Sequence, residues 1–407
     1  MKRIVYFLLC ALVLVACSNE IPEKKPLERS GRTVLAYLVA NNGSSVKLDE
    51  NLKDNVEDMY EALSQSKDSC TLLVYYRPDI SDTEVDAPVL MEFLSDGEGR
   101  INGKTALLGR EVEFERILQE AHLVKEYTET DHSAVDPAVM SQVFKDMQDF
   151  APSDSYGLIF GSHASGWLPG EPVRSKAFGD DDGYNIDIPD LAAVIQGSFS
   201  KPLDFVLFDA CMMGTAEVCY ELKDVTRYCV ASVMETPVYG FPYDAVLLDL
   251  YADQIDFSAI CNKFIASNKT RGEWGTCAAV DCTMMEDLAS VVKNELAQSS
   301  GLWANFNYAT VQQYGLSSFR LFSFDVADFF RQLNGGQVPS AIQDVLDEAI
   351  VAKDCLPEGY YPVDEERFCG IGMYYPKLEK TWNDYYKTSI SWYQAVGWEQ
   401  IITGSSE

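Results

Sequence analysis

Apolar residues cluster in continuous runs that are typical of strands buried on both faces of a sheet. Four such runs occupy residues 32–40, 70–76, 156–161 and 203–208, and a fifth lies at 228–233. The first run ends at an Asn-Asn-Gly sequence, which predicts a turn. Because strands buried on both faces are typical of parallel sheets, these runs predict a mainly parallel sheet.

Segments with apolar residues at helical spacing separate the predicted strands. Residues 49–63 show this spacing, and another helix is predicted to begin at Asp136 and Pro137, because proline is favoured at the first helical position. Further helices are predicted at 187–195 and 215–222. The alternation of strands and helices predicts an α/β fold whose sheet is covered by helices on both faces.

The alternation changes near residue 284, which predicts two parts of unequal size. We expect a larger α/β domain over residues 32–283 and a smaller C-terminal α+β subdomain over residues 284–407. Aromatic, glycine-containing segments separate the helices of the second part. Those helices are predicted at 286–298, 325–333 and 340–352.

The N-terminus has the features of an export signal. Residues 1–16 begin with basic side chains and continue as an apolar run that is too short to span a bilayer as a helix. The run ends in Leu-Val-Ala-Cys, which resembles the lipobox of bacterial lipoproteins. We therefore expect Cys17 to be lipidated and residues 17–31 to form a tether, in a lipid-anchored protein of the cell envelope at the outer membrane. Exposure on the cell surface and an inward-facing position are both open. The alternative is an ordinary signal peptide with a chance cysteine.

The net charge of −31 limits which classes of binding partner are expected. Such a surface repels a nucleic-acid backbone, so we expect no nucleic-acid partner. It attracts basic peptides, but the favoured explanation of the acidic composition is the solubility of an exported protein.

Nine of the eleven cysteines remain once Cys10 leaves with the signal and Cys17 is lipidated. They contain no Cys-x-x-Cys pair, so a zinc ribbon is not indicated and we predict no metal site built on them. Most lie in apolar runs and are expected to be buried.

Two predicted strands end in reactive side chains. His163 follows the strand at 156–161, and Cys211 follows the strand at 203–208. Because the carboxyl ends of parallel strands meet at one edge of a sheet, both side chains can face one cleft. We expect Cys211 at the start of a helix, whose dipole favours a thiolate, with His163 as its base. Amides at Cys211 and Ala164 are candidates for stabilising an oxyanion.

Two alternatives involve no chemistry. Cys211 can be an ordinary buried thiol, since free cysteine is among the most buried residue types. His163 can be a structural histidine of a loop.

The segments SHASGW and DACMMGTAEVCYEL resemble the clostripain family of cysteine peptidases, relatives of caspases, gingipains and legumains. The segments ASVMETPVYGFPY and GIGMYYP also match, so the resemblance extends over residues 32–400. It implies a caspase-like three-layer α/β/α sandwich and an acyl-enzyme mechanism with Cys211 as nucleophile and His163 as base. It also implies cleavage after Arg or, less often, Lys, with no cofactor required for the chemistry.

The same resemblance implies an acidic pocket for the basic residue of the substrate. Asp209 matches the family's aspartate two positions before the nucleophile, and capping of the following helix is the alternative for it. Glu235 is the candidate for a second acidic wall, although Val233 and Met234 stand where relatives often carry acidic residues. This departure can weaken the preference for arginine.

Family members are often zymogens that cut themselves between the histidine and the cysteine. Arg174 and Lys176 lie in such a position and are the predicted sites of self-cleavage. The carboxylates of the acidic run at residues 180–182 can serve as calcium ligands, and a solvated acidic turn is the favoured alternative.

Three functions remain open on the sequence alone. The first is a monomeric, lipid-anchored endopeptidase that acts on proteins or peptides with basic residues. The second is a catalytically silent lipoprotein that binds peptides or glycans in the same cleft. The third is a transpeptidase or isopeptidase that uses the same thiol.

Overall fold

The protein is represented by a computed structural model, which describes residues 31–42, 46–82, 85–128, 132–169, 177–299, 301–303, 306–315, 322–378 and 380–403. The predicted signal peptide, Cys17 and the tether up to residue 30 lie outside these ranges, as do Arg174 and Lys176. None of the described helices has both the length and the apolar character needed to cross a membrane.

The described residues form β-strands and α-helices that alternate through most of the chain. The strands are β1 (Arg32–Val39), β2 (Ser69–Arg77), β3 (Val89–Asp96), β4 (Arg100–Ile101), β5 (Lys104–Thr105), β6 (His122–Glu126), β7 (Ser155–Gly161), β8 (Phe178–Asp181), β9 (Tyr184–Ile186), β10 (Leu203–Asp209), β11 (Thr226–Ala231), β12 (Thr276–Asp281), β13 (Gln313–Tyr314), β14 (Ser323–Asp325), β15 (Ile350–Cys355) and β16 (Gly372–Met373). The helices are α1 (Asp49–Gln65), α2 (Phe114–Glu120), α3 (Pro137–Phe150), α4 (Ile188–Ser198), α5 (Ala216–Glu221), α6 (Tyr243–Val246), α7 (Phe257–Arg271), α8 (Met285–Gln298), α9 (Val326–Leu333), α10 (Ser340–Ala349), α11 (Asn383–Ser389), α12 (Ser391–Ala395) and α13 (Trp398–Thr403).

One large sheet organises the fold. Its five central strands run parallel in the order β11-β10-β7-β1-β2. Antiparallel strands extend both edges: β12 and β15 lie beyond β11, and β3 lies beyond β2 and pairs with β4 and β6. The prediction of a mainly parallel sheet is confirmed.

Alternate side chains of β1 enter two different apolar cores. Leu35 and Tyr37 pack with side chains of α3, α4 and α8, whereas Ala36 and Leu38 pack with side chains of α1 and α7. Because successive side chains of a strand point to opposite faces, the sheet lies between two layers of helices. This confirms the predicted three-layer α/β/α sandwich.

The segment assigned to a C-terminal subdomain shares the sheet and one core with the preceding residues. β15 pairs with β12, and α9 to α12 bury side chains in the same core as α3 and α4. The helix predicted over 340–352 is too long at its end, because α10 stops at Ala349 and Ile350 begins β15.

Candidate active site

A cavity of about 270 Å³ lies at the carboxyl end of the parallel strands. β7 and β10 are neighbours in register, with Gly161 opposite Asp209, so the residues that follow them leave the sheet side by side. The cavity therefore receives both predicted reactive side chains, His163 and Cys211. Its lining residues are Val46, Leu48, Leu52, Asn55, Ser162, His163, Asp209, Ala210, Cys211, Glu235, Thr236, Pro237, Val238, Gly240 and Trp274.

Cys211 is the only one of the nine described cysteines that is not buried. Its Sγ donates a long hydrogen bond of 3.9 Å to the carbonyl of Thr236. The alternative of an ordinary core thiol therefore does not describe Cys211, whereas it does describe the other eight. A partly exposed thiol in a cavity is accessible to a reagent or a substrate.

Cys211 does not lie at the start of a helix, so this part of the prediction is wrong. The residue belongs to a turn in which Met212 has a left-handed φ of 60°, and α5 begins only at Ala216. Thr215 caps that helix, since its Oγ1 accepts a hydrogen bond from Val218 N at 3.4 Å. The dipole of α5 thus cannot be credited with activating the thiol.

Backbone hydrogen bonds hold the turn that carries Cys211. Met212 N donates to Met234 O at 3.0 Å, and Gly214 N donates to Ser232 O at 2.8 Å. A Cβ on Gly214 would lie 2.9 Å from the backbone of Ser232, so glycine permits this close approach. Because the Met212 amide is already bonded, it is not available to an oxyanion.

His163 is oriented by a backbone carbonyl. Its Nε2 lies 3.0 Å from the carbonyl oxygen of Val46, in the loop between β1 and α1. Since a carbonyl can only accept a hydrogen bond, Nε2 carries the hydrogen and Nδ1 of the neutral ring keeps its lone pair. Sequence patterns could not identify Val46, because every residue type carries a carbonyl.

The loop that carries Val46 is fixed at its next residue. Lys47 Nζ donates to Asp79 Oδ2 at 2.7 Å and to the carbonyl of Asn42 at 3.0 Å. Burial tends to raise the pKa of Asp79, but hydrogen bonds from Lys47 and Ser81 outweigh it and lower the pKa. The Lys47–Asp79 ion pair therefore stabilises the loop against which His163 rests.

The loop of His163 is paired on its other side with β8. Gly179 N donates to His163 O at 2.9 Å, and Ser165 N donates to Ala177 O at 3.3 Å. These two bonds flank Ala164, whose own N–H is directed away from β8. Ala164 does not itself line the cavity.

Asp209 is buried at the base of the cavity. Its Oδ2 accepts hydrogen bonds from Phe241 N at 3.1 Å and from the Tyr243 hydroxyl at 3.0 Å. Among the described residues, no group donates to Oδ1. Burial raises the pKa of Asp209 to about 6, although the hydrogen bonds from Phe241 and Tyr243 act in the opposite direction. Asp209 does not cap α5, so the alternative role considered for it is wrong.

Glu235 lines the cavity, and the two residues before it do not. Val233 and Met234 are buried in a small apolar cluster with Tyr314 and Phe368. The apolar residues that stand here in place of the family's acidic ones therefore pack in the core beside the site. Glu235 is the acidic residue of this segment that lines the cavity.

Trp274 forms an aromatic side of the cavity that the sequence did not indicate. Its Nε1 donates to the carbonyl of Glu235 at 2.9 Å, and its ring packs edge-to-face on Tyr361 with centroids 5.5 Å apart. Trp274 precedes β12, which joins the sheet antiparallel to β11.

The acidic run at 180–182 is not a solvated turn. Asp180 and Asp181 are buried, and only Asp182 is exposed. Asp181 accepts hydrogen bonds from Asn41 Nδ2 at 2.5 Å, Ala134 N at 2.6 Å and Arg77 Nε at 3.1 Å. Across the described residues, no group of three or more His, Cys, Asp or Glu side chains is arranged to hold a metal ion.

A thiol and an imidazole at adjacent strand ends of a caspase-like sheet define a site of the cysteine-peptidase class. The family described as the clostripain family matches residues 36–314, so the chain belongs to the clostripain family. It is a cysteine endopeptidase.

Solved structures share the fold of this chain. A secreted C11 cysteine protease from Bacteroides thetaiotaomicron, in complex with an irreversible peptide inhibitor, is 22% identical with a TM-score of 0.72, over 91% of this chain and 99% of that one. An inactive zymogen C11 protease from Parabacteroides distasonis is 23% identical with a TM-score of 0.69, over 90% of this chain and 98% of that one. A search of the curated proteins found no match.

Proposed function

We propose that Cys211 is the nucleophile and His163 the general base of this endopeptidase. The observation that carries the proposal is the shared cavity, together with the bond from His163 Nε2 to Val46 O, which leaves Nδ1 as the proton acceptor. His163 Nδ1 takes the thiol proton, and Sγ attacks the scissile carbonyl carbon. When the C–N bond breaks, His163 returns that proton to the leaving amine.

Hydrolysis of the thioester completes the cycle. His163 takes a proton from water as the water oxygen attacks the acyl carbon. When the C–S bond breaks, His163 returns that proton to Sγ, which leaves the carboxylic acid product and the free thiol. The amides of Ala164 and Cys211 are our candidates for stabilising the oxyanion in both steps. The direction of the Ala164 N–H away from β8 supports its part in this role.

The proposed substrate residue before the cut is arginine, or less often lysine. Asp209 Oδ1, which is not engaged by a described donor, is the proposed acceptor for a guanidinium at the base of the cavity, with Glu235 at its wall. Leu48, Leu52 and Val238 supply apolar contacts for the methylene groups of a long basic side chain.

The experiment that tests this proposal is hydrolysis of fluorogenic peptides ending in Arg, Lys or Gln. We expect wild type to cleave the Arg peptide fastest, and Cys211→Ala and His163→Ala to lose at least about a thousandfold in kcat/KM. Cys70→Ala, which removes a buried thiol outside the cavity, is the matched control and should keep its activity.

Three results would redirect the proposal. Equal cleavage after Gln would remove the role of Asp209, and product masses showing an added amine would indicate transpeptidation. If a correctly folded wild type binds peptides but cleaves none, the silent-binding function takes its place.

We further propose that the protein cuts itself after Arg174 or Lys176. Both residues lie between His163 and Cys211 in the chain and immediately before the segment 177–179 that pairs with the His163 loop. Purified wild type should yield two fragments in a denaturing gel, whereas Cys211→Ala should remain one chain. An R174A/K176A double variant that is processed at the wild-type rate would refute these sites.

The N-terminus supports a proposed lipid anchor at Cys17, which would hold the enzyme in the cell envelope at the outer membrane. Labelling with radioactive palmitate should mark the wild type and not Cys17→Ala. An unlabelled wild type that is cleaved elsewhere near residue 17 would instead indicate an ordinary signal peptide.

A further inference from the structure

An aromatic surface continues from the cavity toward solvent. Trp274 lines the cavity, the ring of Tyr361 packs on Trp274 at 5.5 Å, and the ring of Tyr360 packs on Tyr361 at 4.6 Å. Both contacts are edge-to-face, at interplanar angles of 87° and 85°. We call these three side chains the aromatic wall.

The inner end of the aromatic wall is fixed and its outer end is open. Trp274 is held by its hydrogen bond to the carbonyl of Glu235 and packs against the apolar cluster of Val233 and Met234. Tyr360, in contrast, is 77% exposed. A large aromatic ring exposed beside a reactive cavity is an apolar surface that a bound peptide can cover.

The position of the aromatic wall relates it to one side of the scissile bond. His163 follows β7, and the leaving amine that it protonates must lie on that side of Cys211. Glu235 follows β11 and Trp274 precedes the antiparallel strand β12, and both strands lie on the other side of β10. The part of the substrate that forms the acyl-enzyme therefore extends toward the aromatic wall.

The length of the aromatic wall corresponds to a few residues of an extended peptide. An extended chain advances about 3.3 Å per residue. The two centroid separations of 5.5 and 4.6 Å thus place the whole wall within about three residues of the side chain in the cavity.

We propose that the aromatic wall is a subsite for an aromatic or large aliphatic side chain, located within three residues on the N-terminal side of the basic residue. This inference rests on the proposed function, because it uses the same cavity and the same direction of the substrate. The substrate class is then a peptide segment in which an apolar side chain closely precedes the basic residue.

The experiment compares three series of fluorogenic peptides that all end in Arg. In each series, one of the three preceding positions carries Phe, Leu, Ala or Asp, and the others carry Ala. For wild type we expect kcat/KM to be about tenfold higher with Phe than with Ala at one of these positions, since burial of an aromatic side chain is favourable. Aspartate at that position should be the poorest residue.

Variants of the wall assign the preference to its residues. Tyr360→Ala should reduce the Phe-to-Ala ratio to about two or three, and Tyr360→Phe should retain it, because the ring and not the hydroxyl makes the surface. Tyr184→Ala removes a tyrosine that is 68% exposed on β9, outside the cavity, and should leave the ratio unchanged. The readout is a ratio, so it does not depend on the fraction of active enzyme.

Two results would overturn the inference. A Phe-to-Ala ratio near one at all three positions, or a ratio that Tyr360→Ala leaves at its wild-type value, would show that substrates do not use the aromatic wall. In both cases the Ala peptides are still cleaved after Arg, so the proposed function stands. If wild type cleaves no peptide of any series, the proposed function fails and this inference fails with it.

Discussion

At the scale of single residues, the role proposed for Asp209 makes the proposed preference for a basic side chain dependent on pH. Burial raises its pKa to about 6, so the carboxylate that a guanidinium needs is lost as the pH falls through this value. We therefore expect the ratio of kcat/KM for Arg over Gln peptides to rise between pH 5 and pH 8. Asp209→Asn should lower this ratio on the order of a hundredfold at pH 8 and remove its dependence on pH.

The matched control for this test is Asp190→Asn, which changes an exposed carboxylate on α4. It should leave the profile of the ratio unchanged. A ratio that is flat with pH in wild type, or that survives in Asp209→Asn, would show that another group recognises the basic residue.

At the scale of elements, the loop between β1 and α1 sets the orientation of His163. Lys47→Ala removes the ion pair with Asp79 and the bond to the Asn42 carbonyl, so the Val46 carbonyl is no longer held against the imidazole. We expect kcat to fall about tenfold with little change in KM, because orientation of the proposed base affects the chemical step more than binding.

Two further variants separate this effect from a general loss of stability. Lys47→Arg should recover most of kcat, since it can restore the ion pair. Lys145→Ala, which removes an exposed ion pair on α3, should match wild type in both constants. If KM in Lys47→Ala instead rises as much as kcat falls, the loop contributes to substrate binding.

The apolar runs predicted the bounds of the central strands closely, because a strand buried on both faces appears in the sequence as a continuous apolar run. The run at 203–208 became β10, which ends at Asp209, and the run at 156–161 became β7. Cys211 was misplaced at a helix start because the helix predicted at 215–222 follows it so closely in the sequence. The left-handed φ of Met212 belongs to a turn that separates Cys211 from α5.

Other parts of the site had no local signal in the sequence. Val46 contributes only its backbone carbonyl, and every residue type has this group, so the residue type at position 46 gives no sign of the contact. Trp274 reaches the cavity because β12 pairs with β11 antiparallel, and strand pairing depends on contacts distant in sequence. Pairings of this kind also place β15 at the edge of the sheet, where a longer helix was predicted.

At the scale of the whole molecule, a buried glutamate joins α5 to the C-terminal segment. Glu217 Oε1 accepts hydrogen bonds from Tyr374 N at 2.8 Å and the Tyr386 hydroxyl at 2.9 Å. Burial raises its pKa to about 7, although these bonds act in the opposite direction. Between the unfolded pKa of about 4.3 and this value, the folded state binds more protons than the unfolded state.

It follows that Glu217 makes the folded state less stable as the pH rises from about 4.3 through about 7. Glu217→Gln does not titrate, so its free energy of unfolding relative to wild type should increase by up to roughly 3 kcal/mol across this range. Urea unfolding at pH 4.5 and pH 7.5 measures this difference. Glu348→Gln, at an exposed position of α10, should show no such change, and parallel curves for Glu217→Gln and wild type would contradict the shift.

The net charge of −31 is expected to attract cationic substrates before they reach the cavity. A field of this sign raises the encounter rate of cationic peptides, and salt screens it over about 10 Å at 0.1 M ionic strength. Peptides that share Ala-Arg at the cut but carry either two Lys or two Gln further away differ only in this long-range interaction. We expect kcat/KM of the Lys peptide to fall several-fold as salt increases from about 10 mM to about 500 mM, and that of the Gln peptide to change much less.

The comparison of the two slopes separates the two explanations of the acidic composition. A steeper slope for the Lys peptide means that the surface charge gathers basic substrates toward Asp209 and Glu235, so that specificity begins outside the cavity. Equal slopes mean that the charge serves solubility alone, and that recognition of the basic residue is confined to the cavity. The Asp209→Asn variant then completes the argument: it should remove the preference at the cut and retain the difference between the slopes, because one carboxylate contributes little to a field produced by 63 acidic and 32 basic residues.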